Sequence, residues 1–170
     1  MCIRDRTSPG APATSGAATI LNSAPTATGV SITGTLTVGQ VLTGAYTYGD
    51  VDGDAEGTST FRWLRNGTTV VGTSATYTLV ATDAGQAITF EVTPVAATGT
   101  SPGAPATSGA ATVLNSAPTA AGVSITGTLT VGQVLTSTYT YGDVDGDSEG
   151  TSTFRWLRNG TTVVGTGGTY

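Results

Sequence analysis

Thr58-Ser59-Thr60-Phe61-Arg62-Trp63-Leu64-Arg65-Asn66-Gly67-Thr68-Thr69-Val70-Val71 is the stretch that decides the fold. Phe61 and Trp63 fall on one face of an extended segment, the period-two placement of a half-buried strand. Asn66-Gly67 then separates Phe61–Arg65 from Thr68–Val71. Both central residues of a type I′ turn need positive φ, so Asn-Gly between two such runs predicts a β-hairpin.

Working outward, the same grammar recurs. Val30 and Ile32 alternate with polar residues and predict a first strand. Leu42, Gly44, Tyr46 and Tyr48 share one parity of a second. Tyr77 and Leu79 mark a strand over Thr76–Val80, and Ile88, Phe90 and Val92 mark another over Ala87–Val95. Ala104–Leu114, rich in small residues, is expected to be the last. No sustained 3.6-residue apolar period interrupts these runs, and Gly, Pro, Asn and Asp punctuate them. About seven strands predict an all-β sandwich of two sheets.

The chain also repeats itself. Thr7–Tyr77 is matched by Thr100–Tyr170, a period of 93 residues, with seven differences: Ile20/Val113, Thr28/Ala121, Gly44/Ser137, Ala45/Thr138, Ala55/Ser148, Ser74/Gly167 and Ala75/Gly168. All but the first exchange small residues. A 93-residue period exceeds the roughly 20–50 residues of solenoid units and fits a whole sandwich domain. The expected organisation is an end strand of a preceding unit over 7–22, a complete repeat over 23–115 and a truncated repeat over 116–170, in a fragment of a longer protein. Met1-Cys2-Ile3-Arg4-Asp5-Arg6 stands outside the repeat and resembles a translated adapter, so residues 1–6 are expected to be a non-native leader. The unit boundaries, Leu21-Asn22-Ser23-Ala24-Pro25 and Leu114-Asn115-Ser116-Ala117-Pro118, are short and contain proline, which limits hinge freedom.

Charge excludes several functions. The net charge is −5, with no lysine and no histidine. Nucleic acid and anionic membrane surfaces demand Lys/Arg clusters that this chain lacks. No apolar run approaches the roughly 20 residues of a membrane span, so no membrane insertion is expected here. The only cysteine is Cys2, so no disulfide holds the repeat. Without His, Lys or Cys in the repeat, the usual nucleophile–base pairs are missing and no enzyme activity is expected.

Tyr46 through Trp63, then Tyr77-Thr78-Leu79, Asp83-Ala84-Gly85 and Ile88 through Pro94, resemble bacterial immunoglobulin-like repeats of large surface and secreted proteins, including adhesins. The resemblance implies that Trp63 is the tryptophan buried on the third strand and that Asp83-x-Gly85 is the turn before the sixth. The chain departs from the immunoglobulin pattern in having no cysteine pair around Trp63 and no tyrosine at Ala87, so neither the disulfide nor a tyrosine corner is implied.

Four features of the sequence are candidate sites. Asp50, Asp52, Asp54 and Glu56 occupy alternate positions, repeated as Asp143, Asp145, Asp147 and Glu149. Closely spaced carboxylates repel unless solvent or a cation intervenes, and Ca²⁺ takes six to eight oxygen ligands. A Ca²⁺ site that stiffens the chain stands here beside the plainer reading, a solvated loop whose Asp and Gly make turns. Asn66-Gly67-Thr68 and Asn159-Gly160-Thr161 fit an N-glycosylation sequon, but the turn alone explains them. Tyr46, Tyr48, Phe61, Trp63, Tyr77 and Phe90 could stack on sugars, yet their strand parity reads as core. Paired carboxylates could serve glycoside hydrolysis only with a cleft that a loop on a small sandwich seldom supplies.

The expected function is therefore a spacer or stalk repeat of a bacterial cell-surface or secreted adhesin-type protein. Its partners would be neighbouring repeats, with a host or matrix glycan or protein as a further possibility. A strand of about nine residues spans roughly 30 Å, so each unit should lengthen the rod by a similar distance. The alternative is a multivalent glycan- or protein-binding module that sums weak contacts.

Overall fold

The structure is a computed structural model that describes residues 11–170. The leader assigned to residues 1–6 and the start of the 7–22 segment lie outside the described residues.

Alternation in the sequence becomes two antiparallel sheets. One joins β1 (Thr26–Thr33), β2 (Val41–Gly49) and β5 (Thr76–Thr78). The other joins β4 (Thr69–Gly72), β3 (Thr60–Arg65), β6 (Ala87–Thr93) and β7 (Ala106–Thr107), with β8 (Ala111–Thr112) also on β6. Asn66 (φ 52°) and Gly67 (φ 72°) make the β3–β4 turn as expected. A single 3-10 turn, Ala81–Asp83, leads into β6.

β3 and β6 pair with Trp63 opposite Phe90 and Phe61 opposite Val92, so these side chains share the inner face. Leu42, Trp63, Leu79, Ile88, Phe90, Val92 and Val113 form the buried cluster between the sheets. Trp63 lies 4.9 Å from Phe90 and 5.9 Å from Tyr77 between ring centroids. Its indole N–H donates to the Ser74 carbonyl at 2.8 Å, which satisfies the one polar atom it buries. Gly44 admits the Phe90 ring into the core: a Cβ at Gly44 would sit 2.4 Å from that ring.

The last strand differs from expectation. Ala104–Leu114 is two short pieces, β7 and β8, rather than one strand. Between them the Ser108 hydroxyl accepts the Phe90 N–H at 2.9 Å while the Ser108 N–H donates to the Phe90 carbonyl at 2.8 Å. A serine side chain thus replaces one rung of the ladder, and small-residue composition gave no sign of it.

The second copy of the sequence builds β9 (Thr119–Thr126) with β10 (Thr136–Gly142), and β11 (Arg155–Arg158) with β12 (Thr162–Thr166), as two two-stranded sheets. Thr169 makes an isolated antiparallel bridge to Thr136 of β10, closed by the backbone bonds between Tyr170 and Leu135. Among the described residues nothing stands where β6 stands in the first copy. Residues 11–22 form no strand, although the matching 104–115 carry β7 and β8. Those two strands pair with β6, and among the described residues no such strand lies beside 11–22.

Candidate functional site

The acidic loop is built by its own turn geometry. The Asp50 carboxylate accepts the N–H groups of Asp52 at 2.8 Å and Asp54 at 3.3 Å, curling the chain, with Gly53 at φ 84°. Glu56 is drawn back to the sheet, accepting the Tyr46 hydroxyl at 2.5 Å and the Ser59 hydroxyl at 2.6 Å. The Tyr48 hydroxyl donates to the Asp54 carbonyl at 3.3 Å.

The two remaining carboxylates reach the boundary segment. Asp52 accepts the Ser23 N–H at 2.5 Å, and Asp54 accepts the Asn22 amide at 2.7 Å. Asn22 is also held from the other side: its side-chain oxygen accepts the Thr100 N–H at 2.6 Å and its carbonyl accepts the Thr100 hydroxyl at 3.0 Å. Thr98 donates to Asp54 at 2.5 Å. Charge-assisted bonds of this kind are stronger than neutral ones.

The second copy reproduces the arrangement. Asp143 accepts the Asp145 and Asp147 N–H groups, Asp145 accepts the Ser116 N–H, and Asp147 accepts the Asn115 amide at 3.0 Å. Glu149 accepts Tyr139 and Ser152. One difference stands out: Asp52 is exposed, whereas Asp145 is only 6% exposed. The second loop lies against the first copy, since a Cβ on Gly146 would meet the Ala81 Cβ of the 3-10 turn at 3.7 Å.

Local charge follows these contacts. The Thr98 hydroxyl, and after it the Asn22 amide, holds the Asp54 carboxyl below the ordinary aspartate range. Ser152, and after it Tyr139, does the same for Glu149. Burial raises the Tyr46 phenol, with the Glu56 hydrogen bond adding to it. Burial also raises Tyr48 and Tyr141, helped by the neighbouring carboxylates.

The eight acidic residues of interest are thus brought together as two loops, one per copy, but not as a converging ligand set. Among the described residues no group of three His, Cys, Asp or Glu side chains meets at a point that could hold a metal. Three buried carboxylate oxygens nonetheless find no donor: Asp50 Oδ2, Asp143 Oδ2 and Asp145 Oδ1. The sequon residue Asn66 is occupied by the turn, donating to Gln86 at 2.8 Å and accepting the Ala87 N–H at 3.2 Å. Of the aromatic set, Trp63 and Phe90 are fully buried, and Tyr46, Tyr48, Phe61 and Tyr77 are half-buried.

Sequence reasoning missed one charged centre. Asp83 is fully buried and accepts Arg65 Nε at 2.7 Å, the Tyr77 hydroxyl at 2.8 Å and the Val80 N–H at 2.9 Å. Arg65 Nη2 closes the pair at 2.7 Å. Removing one member of such a pair leaves an uncompensated buried charge, so this centre ties β3, β5 and the 3-10 turn together. Asp83-x-Gly85 flagged the turn, but its partners 18 and 6 residues away left no local signal.

Residues 26–108 match the family model of the AIR9 A9 domain, an immunoglobulin-like family. No curated protein and no solved structure matches the chain. With the two-sheet topology, this makes the fold an immunoglobulin-like β-sandwich, a fold that serves as a structural or binding module and is typically non-catalytic. No helix among the described residues is long and apolar enough to cross a membrane.

Proposed function

We propose that this chain is a spacer or stalk repeat of a bacterial cell-surface or secreted adhesin-type protein. The observation that supports it is the clamped boundary: Asp52 and Asp54 hold Ser23 and Asn22, and Asp145 and Asp147 hold Ser116 and Asn115. A linker bonded to the domain that follows it cannot act as a free hinge. The mechanism is mechanical: each sandwich adds length and each clamp passes orientation on to its neighbour. The burial of Trp63 and Phe90 removes the flat aromatic platform that a glycan-binding module would present, which favours the spacer over the binding alternative.

Spin labels at Thr68 and Thr161, with Cys2 replaced by serine, test this reading. A narrow distance distribution is expected in the parent, broadening in Asp145→Ala/Asp147→Ala. A distribution already broad in the parent defeats the proposal.

Stiffening by Ca²⁺ is a second reading, and the donorless oxygens of Asp50, Asp143 and Asp145 favour it, since a hard cation takes such oxygens as ligands. It predicts a melting midpoint that rises between EDTA and millimolar Ca²⁺ in the parent and stays fixed in Asp50→Asn/Asp143→Asn/Asp145→Asn. Equal midpoints in the parent leave the loops as clamps alone.

A further inference from the structure

Asn22-Ser23 and Asn115-Ser116 recur at the same point of both copies. An asparagine followed by a small residue loses ammonia in water. The next residue's backbone nitrogen, once deprotonated by hydroxide, bonds to the side-chain Cγ. The Cγ–Nδ2 bond breaks, and the departing nitrogen takes a proton from water and leaves as ammonia. Water then opens the succinimide at either carbonyl, giving aspartate or, with one extra backbone atom, isoaspartate. Both asparagines are exposed, so hydroxide and water reach them.

The clamp contacts fall on the reacting atoms. The Ser23 N–H, on the nitrogen that attacks, donates to Asp52 at 2.5 Å, and its counterpart on Ser116 donates to Asp145. A carboxylate beside that nitrogen disfavours the anion it has to become. The Asn22 amide is held at both ends: Nδ2 donates to Asp54 at 2.7 Å and Oδ1 accepts the Thr100 N–H at 2.6 Å. Gly99 passes so close that a Cβ there would sit 2.4 Å from both Asn22 Oδ1 and Asp54 Oδ2, so the amide has no room to turn toward Ser23. Asn115 Nδ2 likewise donates to Asp147, at 3.0 Å. The product reverses the sense of the clamp. An ionised aspartate at either position has no side-chain N–H to give, and it sets a second carboxylate against Asp54 or Asp147, where like charges repel.

We propose that Asn22 and Asn115 are modification sites for deamidation by water, guarded by the clamp in the folded chain, and that conversion of either to aspartate or isoaspartate unlatches its boundary. The consequence rests on the stalk reading; the chemistry does not. Ser23 and Ser116 are the attacking residues, and Asp52 and Asp145 are the groups that restrain them. A boundary that starts stiff loosens irreversibly once its asparagine has reacted.

The test incubates the full chain at mildly alkaline pH and follows mass gain and isoaspartate at Asn22 and Asn115 by peptide mapping, beside free peptides of residues 19–27 and 112–120. Both asparagines are expected to react at least about tenfold more slowly in the folded chain than in the peptides, the factor for breaking one hydrogen bond to a charged group. Asp52→Ala/Asp145→Ala should raise both rates. Asn66, held by Gln86 and Ala87 at the β3–β4 turn, should keep its rate and so report an intact fold. The comparison with the peptides stands whether or not that variant folds. Unlatching is read with spin labels at Thr68 and Thr161, with Cys2 replaced by serine. Asn115→Asp should broaden the distance distribution, and Asn115→Asp/Asp147→Asn, which exchanges donor and acceptor, should narrow it again. Folded-chain rates equal to the peptide rates, rates unchanged or lowered in Asp52→Ala/Asp145→Ala with Asn66 constant, or a distribution that Asn115→Asp leaves narrow overturns the proposal. A distribution already broad in the parent defeats the stalk reading instead, and the rates alone then decide whether the clamp guards the asparagines.

Discussion

Residues 23–77 and 116–170 are nearly the same sequence, yet one half is closed and the other open. Leu64 is 7% exposed on β3, while the matching Leu157 on β11 is 47% exposed. Trp63 has β6 beside it and both Phe90 and Tyr77 against its ring, whereas Trp156, still 7% exposed, has Tyr170 as its aromatic partner, at 5.5 Å. What differs is one strand, β6, which joins β3 to β7 and β8 and brings in Ile88, Phe90 and Val92 together. Local pattern is therefore enough to make hairpins in both copies, but closure is a long-range event set by β3–β6 pairs 23 to 33 positions apart, from Arg65 opposite Ile88 to Thr60 opposite Thr93. The hairpins are local contacts that need little loop closure, and the β3–β6 pairing is the non-local step.

The largest contrast should appear when the matching tryptophans are truncated. Trp63→Ala removes a fully buried side chain and is expected to cost about 3–5 kcal/mol, abolishing or sharply lowering the main melting transition. Trp156→Ala should leave that transition nearly in place. Equal losses would show that the two copies unfold as one unit and break the comparison.

A smaller effect sharpens it. Gly44→Ser puts into the closed copy the residue that the open copy already holds. Overpacking against Phe90 is expected to cost about 1–3 kcal/mol by denaturant titration, with the slope unchanged. A neutral outcome would mean that the Phe90 ring shifts freely and that Gly44 is an incidental difference.

The smallest effect is electrostatic. Asp54 is held below its ordinary range in the folded chain, so its contribution to holding Asn22 is fully present above about pH 4, the unfolded value. That contribution fades as pH falls further, through the depressed folded value. Carboxyl chemical shifts followed by NMR should place the Asp54 midpoint below that of a free aspartate, and Thr98→Ala should move it up. A midpoint at or above the ordinary value would remove the loop–boundary bonds from the account.

How far the sequence reached follows from which contacts are local. Asn66-Gly67, the parity of Phe61 and Trp63, and the Ile88/Phe90/Val92 run announced the hairpin and the core, because each is a short-range pattern. The acidic loop was visible as a charge pattern, but its role was not. Asn22 and Asp54 lie 32 positions apart, and no periodicity connects them. A signal did exist: Asn-Ser-Ala-Pro and the Asp-x-Asp-Gly-Asp segment recur together in both copies, at the same spacing. The Arg65–Asp83–Tyr77 centre and the Ser108 rung left no comparable trace, since each rests on one side chain meeting a distant backbone or charge. The Gly44/Ser137 difference looks neutral as a small-for-small exchange and acquires meaning only when Phe90 is seen in the hole.

On the proposed stalk function, the acidic loop orders the boundary between the copies. Backbone ¹⁵N relaxation at Ser116 and Ala117 tests it most directly. The account predicts order parameters close to the rigid-strand value of about 0.85, falling below about 0.6 in Asp145→Ala/Asp147→Ala. Values below about 0.6 in the parent would contradict it, because a boundary that moves freely cannot pass orientation from one unit to the next.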